Sequence, residues 1–372
     1  MHRCLLSLSS LVLLAAGCRH ANLPDLPASH GALSMAMDRY ANDRESSFDN
    51  YTPAPASIFQ EEPQVLVEPE QALAVYGEAS ATLSGTPTAQ QVRDAVDDLK
   101  GACLSGLLDA CVFLRERFEL PRRRNEATPH FPEEVVMKQL FTVGVLRCRL
   151  ALDGVLRDCT VLERGAKGVE ESLLEYAMKM RYHPATLAGH PIELPYIISL
   201  QFNPARRDAP MAKVLEPRLR LEWARARAVG SPASPLAWGN LAVLLAKEGP
   251  EDGLYREALR RFQSLAPASW WAANEVAWFH IQEGQYADAA PLVKRARAFA
   301  FDNPYVLETS AAVMAGTNQC AQAVQEQRRA VEKLPAEWPA PERERFIRAL
   351  EHYQRGCMAP NADSASAPTL GI

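Results

Sequence analysis

The sequence predicts an α+β protein in which a small β-β-α-β unit is followed by an all-α helical array. Two observations carry this. Within residues 131–204, two alternating apolar runs flank Asp153-Gly154. Asp-Gly between such runs is a hairpin signal, because the turn needs positive φ and Gly accepts it without strain. The same stretch then places Leu173, Leu174, Ala177, Met178 and Met180 at helical spacing and closes on a β-branched and aromatic run over 194–202. Further on, residues recur at a period of 34: Ala277 with Ala311, Gln285 with Gln319, Ala289 with Ala323, Ala296 with Ala330. Such a period marks stacked helical hairpins.

The chain has 372 residues, enough for several modules. Its composition is that of a soluble protein, and a net charge of −5 points neither to nucleic acid nor to an anionic membrane surface. Residues 1–17 read as a signal segment: His2 and Arg3 precede an apolar run over 5–16, too short for a permanent span. The run Leu13-Leu14-Ala15-Ala16-Gly17-Cys18 resembles the bacterial lipobox, with Ala15 where that motif usually has Leu. The resemblance implies that Cys18 becomes a diacylated mature N-terminus and anchors the chain without a transmembrane helix; an ordinary secretory signal is the alternative. Arg19 after the cysteine implies the outer rather than the inner membrane, with the protein facing the periplasm. Residues 18–89 read as a flexible tether, broken by Pro24, Pro27, Pro53, Pro55, Pro63 and Pro69.

Residues 90–124 turn helical, with Val92, Val96, Leu99, Cys103, Leu107, Cys111 and Leu114 on one stripe. Cys103 and Cys111 around Gly106 resemble a cysteine-bridged hairpin of the Sel1-like type. A turn at 106–108 would let them bridge; a straight helix would hold them about 12 Å apart. Pro121 and the basic run 122–124 read as a boundary linker.

The unit over 125–205 resembles the C-terminal domain of the TonB family of periplasmic energy transducers. Phe131-Pro132, Gly144, Asp153-Gly154, Arg181-Tyr182-His183-Pro184, Gly189 and the close at Leu200-Gln201-Phe202 carry the resemblance. A two-residue turn at Asp153-Gly154 would set Leu152 opposite Val155 and Cys148 opposite Cys159, as a disulfide or as two small residues in contact. The family register places both on the core face. The resemblance also implies an edge strand, marked by Leu194, Tyr196, Ile198 and Leu200, that receives an extended peptide through main-chain hydrogen bonds. His183 and His190 read as surface loop residues, since no nucleophile pattern accompanies them.

After a linker and basic helix over 206–230, with Trp223 and Leu219 on its apolar side, residues 231–357 resemble tetratricopeptide repeats. Trp238, Gly249, Tyr255, Ala258 and Phe262 mark the first unit, Gly284, Tyr286 and Ala289 the second, and Cys320, Ala323, Ala330 and Pro335 the third. Residues 342–355 would form a capping helix, and a Cys320–Cys357 bridge would staple it. The family's geometry makes Val243, Lys247, Asn274, Trp278, Gln282 and Glu308 the lining of a peptide groove, suited by Trp278 and few charges to an extended apolar segment; a mere spacer is the alternative. The tail, 358–372, reads as disordered.

No catalytic motif, cofactor-binding pattern, small-molecule site or metal-ligand spacing stands out. The expectation is a non-enzymatic, lipid-anchored cell-envelope protein binding protein or peptide partners through both modules. The alternative is an energy transducer coupling an inner-membrane motor to outer-membrane transport, which would need a transmembrane helix to meet its motor.

Overall fold

The structure is a computed structural model that describes residues 26–42, 58–59, 61–64, 67–202, 217–248 and 253–358. Cys18, the signal segment before it, residues 359–372 and the side chain of Cys357 lie outside the described residues.

Within the stretch read as a tether, the described part holds two helices, α1 (Gly31–Asn42) and α2 (Ala72–Ser84). The prolines that suggested a broken chain fall before or between these helices rather than inside them. Thr88 then opens α3 (Ala89–Leu104) with a capping box: its hydroxyl accepts from the Gln91 amide, and the Gln91 side chain accepts from its own. The chain breaks at Gly106 and restarts as α4 (Leu108–Arg117). This is the turn, not the straight helix, so Cys103 and Cys111 come to 4.7 Å between Cα atoms and are bonded.

Two short strands follow, β1 (Phe118–Glu119) and β2 (Arg122–Arg123), then α5 (Glu133–Met137), β3 (Thr142–Leu150), β4 (Leu156–Glu163) and α6 (Val169–Lys179). The unit closes with β5 (Tyr182–His183), β6 (Ala185–Leu187), β7 (His190–Ile192) and β8 (Leu194–Phe202). The main sheet is antiparallel with order β4-β3-β8. The basic run is not a plain linker: Arg122 pairs with His183 and Arg123 with Tyr182, while β1 joins β6 and β7 in a second small sheet. His190 is likewise more than a surface residue, since its Nε2 lies 2.9 Å from the Leu83 carbonyl at the end of α2.

The hairpin differs from expectation in an instructive way. Gly154 N–H donates to the Ala151 carbonyl and Ala151 N–H to the Val155 carbonyl, which makes a three-residue loop. Leu150 therefore faces Leu156, and Arg149 faces Arg157, one step off the expected register. A bulge at Asp158, φ +50, adds one residue to β4, and Arg147 then faces Thr160. The extra residue brings Cys159 opposite Cys148, and the two form a disulfide. Gly154 is fixed by space as well as by its φ of +78, since a Cβ there would stand 1.8 Å from the Tyr182 carbonyl oxygen.

One face of the sheet packs Leu146, Cys148, Leu150, Tyr196 and Ile198 into a core shared with α6 and with α2 to α4. The helical segment 90–124 and the sheet unit are thus joined in one core. The other face packs Val143 and Val145 against Leu236 and Trp223. These belong to the helices that follow: α7 (Pro217–Gly230), α8 (Pro235–Glu248), α9 (Gly253–Leu265), α10 (Trp270–Gln282), α11 (Tyr286–Ala300), α12 (Pro304–Gly316), α13 (Cys320–Lys333) and α14 (Ala340–Met358). In α7 the inward residues are Trp223, Ala224 and Ala228, whereas Leu219 is exposed.

The C-terminal part is an array of paired helices. α10 and α12 begin 34 residues apart, as do α11 and α13. Ser269 and Asn303, also one period apart, cap α10 and α12 by accepting backbone N–H groups. Ala277, Ala289, Ala296, Ala311, Ala323 and Ala330 are all fully buried, which lets the helices cross closely. Cys320, at the start of α13, is disulfide-bonded.

Candidate functional site

Asn274, Trp278 and Gln282 recur every four residues along α10, so they line one stripe of it. Glu308 stands on the neighbouring α12. The structure brings these four together, and it covers them with residues 26–37 of the chain's own N-terminal part.

Contact begins with main chain. The indole N–H of Trp278 and the amide of Gln282 both donate to the Pro27 carbonyl, at 2.8 and 2.6 Å. His30 follows, buried between the two helices. Its ring lies 4.1 Å from the Trp278 ring, centre to centre, and meets Tyr305 edge-on at 5.1 Å. Its Nδ1 is 3.1 Å from Asn274 Nδ2 and 3.6 Å from Glu275 Oε1. Its Nε2 is 3.2 Å from Glu308 Oε2. The imidazole is thus held between two carboxylates, one near each ring nitrogen. Because they lie at opposite ends of the ring, they do not converge on a point where a metal could sit. Among the described residues no group of three or more His, Cys, Asp or Glu side chains could hold a metal ion.

Gly31 starts α1, and its N–H donates to Glu275 Oε2 at 3.3 Å. The first N–H groups of a helix lack internal partners and carry the positive end of its dipole. Glu275 supplies the acceptor and the negative charge from another part of the chain. Ser34 Oγ lies 3.4 Å from the other Glu275 oxygen, and the Tyr255 hydroxyl donates to Glu275 Oε2 at 3.2 Å. Gly31 has a φ of +55, so the sharp change from His30 into the helix uses a residue that tolerates it. Leu26 packs beside Trp278 and Ile281, Met35 joins the core beneath α8, and Met37 is buried with Tyr305, Trp338 and Phe346.

The electrostatics of the two carboxylates diverge. Burial pushes Glu275 up, and the nearby His30 and the Gly31, Tyr255 and Ser34 donors only partly oppose it. Burial also works to raise Glu308, but Arg345 and then His30 outweigh it and hold its carboxyl below the usual range. Arg345 reaches from α14 with two nearly parallel bonds to Glu308, 2.6 and 2.9 Å, and a third to Glu342 at 3.0 Å. Burial and the Glu275 charge push Tyr255 up, which keeps it a donor.

Val243 is buried in α8, and Lys247 is exposed near the end of that helix. The site also contains residues that sequence reasoning missed: Glu275, Tyr255, Tyr305, Arg345 and the occupant itself. Two buried carboxylates correct the expectation of a site with few charges. The segment that lies on it here is a turn followed by a helix. The signal available in the sequence was Glu275 inside the otherwise apolar helix WWAANEVAWFHIQ, where a lone charge needs a partner.

At the other candidate site, β8 is an edge of the main sheet. Leu194, Tyr196 and Ile198 point into the core, with Leu200 partly buried, so they hold the strand while the edge itself is backbone. No helix among the described residues is long and apolar enough to cross a membrane. No family model matches the chain, and no curated protein is significantly similar to it.

Proposed function

We propose that this chain is a non-enzymatic, lipid-anchored protein of the bacterial cell envelope that binds protein partners through a tetratricopeptide-like groove and a TonB-like sheet edge. The observation that carries the reading is the seating of residues 26–37 across α10 and α12. Side chains of Trp278, Gln282 and Glu275 bond the main chain of that segment at Pro27 and Gly31. Main-chain recognition by fixed side chains is how a surface binds a peptide, and a spacer has no need of it. As the last strand of the β4-β3-β8 sheet, β8 supplies the second surface by strand addition.

The anchor at Cys18 is tested by Cys18→Ala followed by membrane fractionation. The wild type is expected in the outer-membrane fraction and the variant in the soluble periplasm. Partner binding is tested by cross-linking in the envelope with wild type and Gln282→Ala. Loss of the same cross-linked protein in the variant supports the groove. A variant that stays membrane-bound, or a motor protein of the inner membrane as the cross-linked partner, would contradict the reading.

A further inference from the structure

The face of α10 and α12 carries more chemistry than a generic peptide groove requires. It offers an aromatic wall, Trp278 and Tyr305, and a carboxylate at each end of one imidazole. It also offers a third acceptor that is not yet used: the side-chain oxygen of Asn274 is buried and has no hydrogen-bond partner. The Asn274 amide nitrogen lies 3.1 Å from Nδ1 of His30, and the other ring nitrogen lies 3.2 Å from Glu308 Oε2. Turning that amide end for end would present the oxygen to Nδ1 instead. Around this pocket stand Glu275 on α10, Glu308 on α12, and Arg345 and Glu342 on α14, with Tyr255 of α9 behind Glu275.

Next to the imidazole pocket lies the acceptor for a helix start. Glu275 takes the Gly31 N–H and approaches the Ser34 hydroxyl one turn later. The two features read a combined signature: a histidine immediately before the N-terminus of an amphipathic helix whose first turn is Gly or another small residue. A proline carbonyl three residues before that histidine completes it.

We propose that this face is a recognition site for a histidine-led helix start, and that residues 26–37 occupy it in cis as a displaceable ligand. The inference rests on the reading of the array as a peptide-binding module. α1 packs on α8 and α10, outside the shared core of α2 to α4 and the sheet, so its release leaves that core intact. An incoming segment of a partner with the same signature competes for the same contacts. Occupancy in cis lowers the apparent affinity of that partner by the fraction of open sites.

A labelled synthetic peptide of residues 26–42 tests this on the full-length chain. With His30→Ala in the chain, the receptor residues Asn274, Glu275, Trp278, Glu308 and Arg345 are untouched while the cis ligand is weakened. The peptide is expected to bind this variant at least about tenfold more tightly than the wild-type chain, a difference near 1.4 kcal/mol. A peptide carrying the same His-to-Ala change is expected to lose at least about tenfold on the variant chain. Equal binding of both peptides, or no binding to either chain, overturns the proposal. Should His30→Ala unfold the array, the segment is part of its core and the proposal fails as well. A second measurement needs no variant: saturating peptide added to the wild-type chain should speed amide exchange in its own residues 26–42 and leave α10 and α12 protected. Unchanged exchange there overturns displacement. None of these outcomes alters the fractionation of Cys18→Ala, so failure here is separable from failure of the envelope reading.

Discussion

At the scale of single residues, the site rests on which buried charges are satisfied. Removing one member of a buried ion pair leaves the other without compensation, which costs about 3–5 kcal/mol. Glu308→Gln should therefore destabilise the array by roughly 3 kcal/mol, because Arg345 keeps its buried position and loses its bidentate partner. Chemical denaturation of wild type and variant measures this. Glu275 behaves differently. Glu275→Gln keeps one acceptor oxygen and removes a charge that burial disfavours, so it should change stability little. Glu275→Ala strips the acceptor from Gly31 and Tyr255 and should cost about 2 kcal/mol. The pH dependence follows from the signs. Glu308 is held below its ordinary value of 4.5, so its contribution is present above that value and is lost as the pH falls through the depressed one. Glu275 is raised, so its contribution is greatest below 4.5 and is lost as the pH rises through the elevated value. Acid unfolding should accordingly be steeper in wild type than in Glu308→Gln, and a titration of stability against pH checks it. Asn274, Trp278, Gln282 and Glu308 were named through the resemblance to tetratricopeptide repeats, and the structure places the first three on α10 and Glu308 on α12. Glu275 was missed: its charge among largely apolar neighbours calls for a partner, but nothing near it in the sequence supplies one. That partner, His30, comes 245 residues earlier in the numbering, in a proline-rich stretch with no periodicity of its own.

At the scale of elements, the hairpin of β3 and β4 is the most constrained piece. A Cβ at Gly154 collides with backbone rather than with a movable side chain, and the position also has positive φ. Gly154→Ala should destabilise the sheet unit by more than about 2 kcal/mol, read from the shift in its unfolding midpoint. The disulfide between Cys148 and Cys159 closes a short loop. Replacing both by Ser should cost about 2–3 kcal/mol under oxidising conditions, read from chemical denaturation. The two cysteines were legible as partners, yet by a turn that the chain does not use. Asp153-Gly154 announces a hairpin without fixing its loop length, and the bulge at Asp158 supplies the missing step. The array was legible in greater detail. Its small residues, caps and helix starts all obey the same 34-residue period, since stacked units must repeat their contacts. The two helices inside the expected tether were obscured by the prolines around them.

At the scale of the whole molecule, the sheet unit and the array are held together by a buried junction. Glu163 at the end of β4 accepts two bonds from Arg227 of α7, at 2.5 and 2.8 Å, and another from Ser234 before α8. Arg227→Met leaves Glu163 buried without its cation. It should cost about 3–5 kcal/mol and split a single unfolding transition into two, one for the sheet unit and one for the array, visible by calorimetry. No local pattern announces this junction, because its members lie 64 and 71 residues apart. The same holds for residues 26–37, whose bonds to α10 include ones that cross 244 and 251 residues of sequence. Amide exchange of residues 26–42 in the full-length chain tests that arrangement most directly. If the segment is seated on α10 and α12, its amides should exchange at least about a hundredfold more slowly than those of an unstructured chain, and Glu275→Ala should abolish most of that protection. Exchange at the unstructured rate in the wild-type chain, with α10 and α12 still protected, would contradict the account.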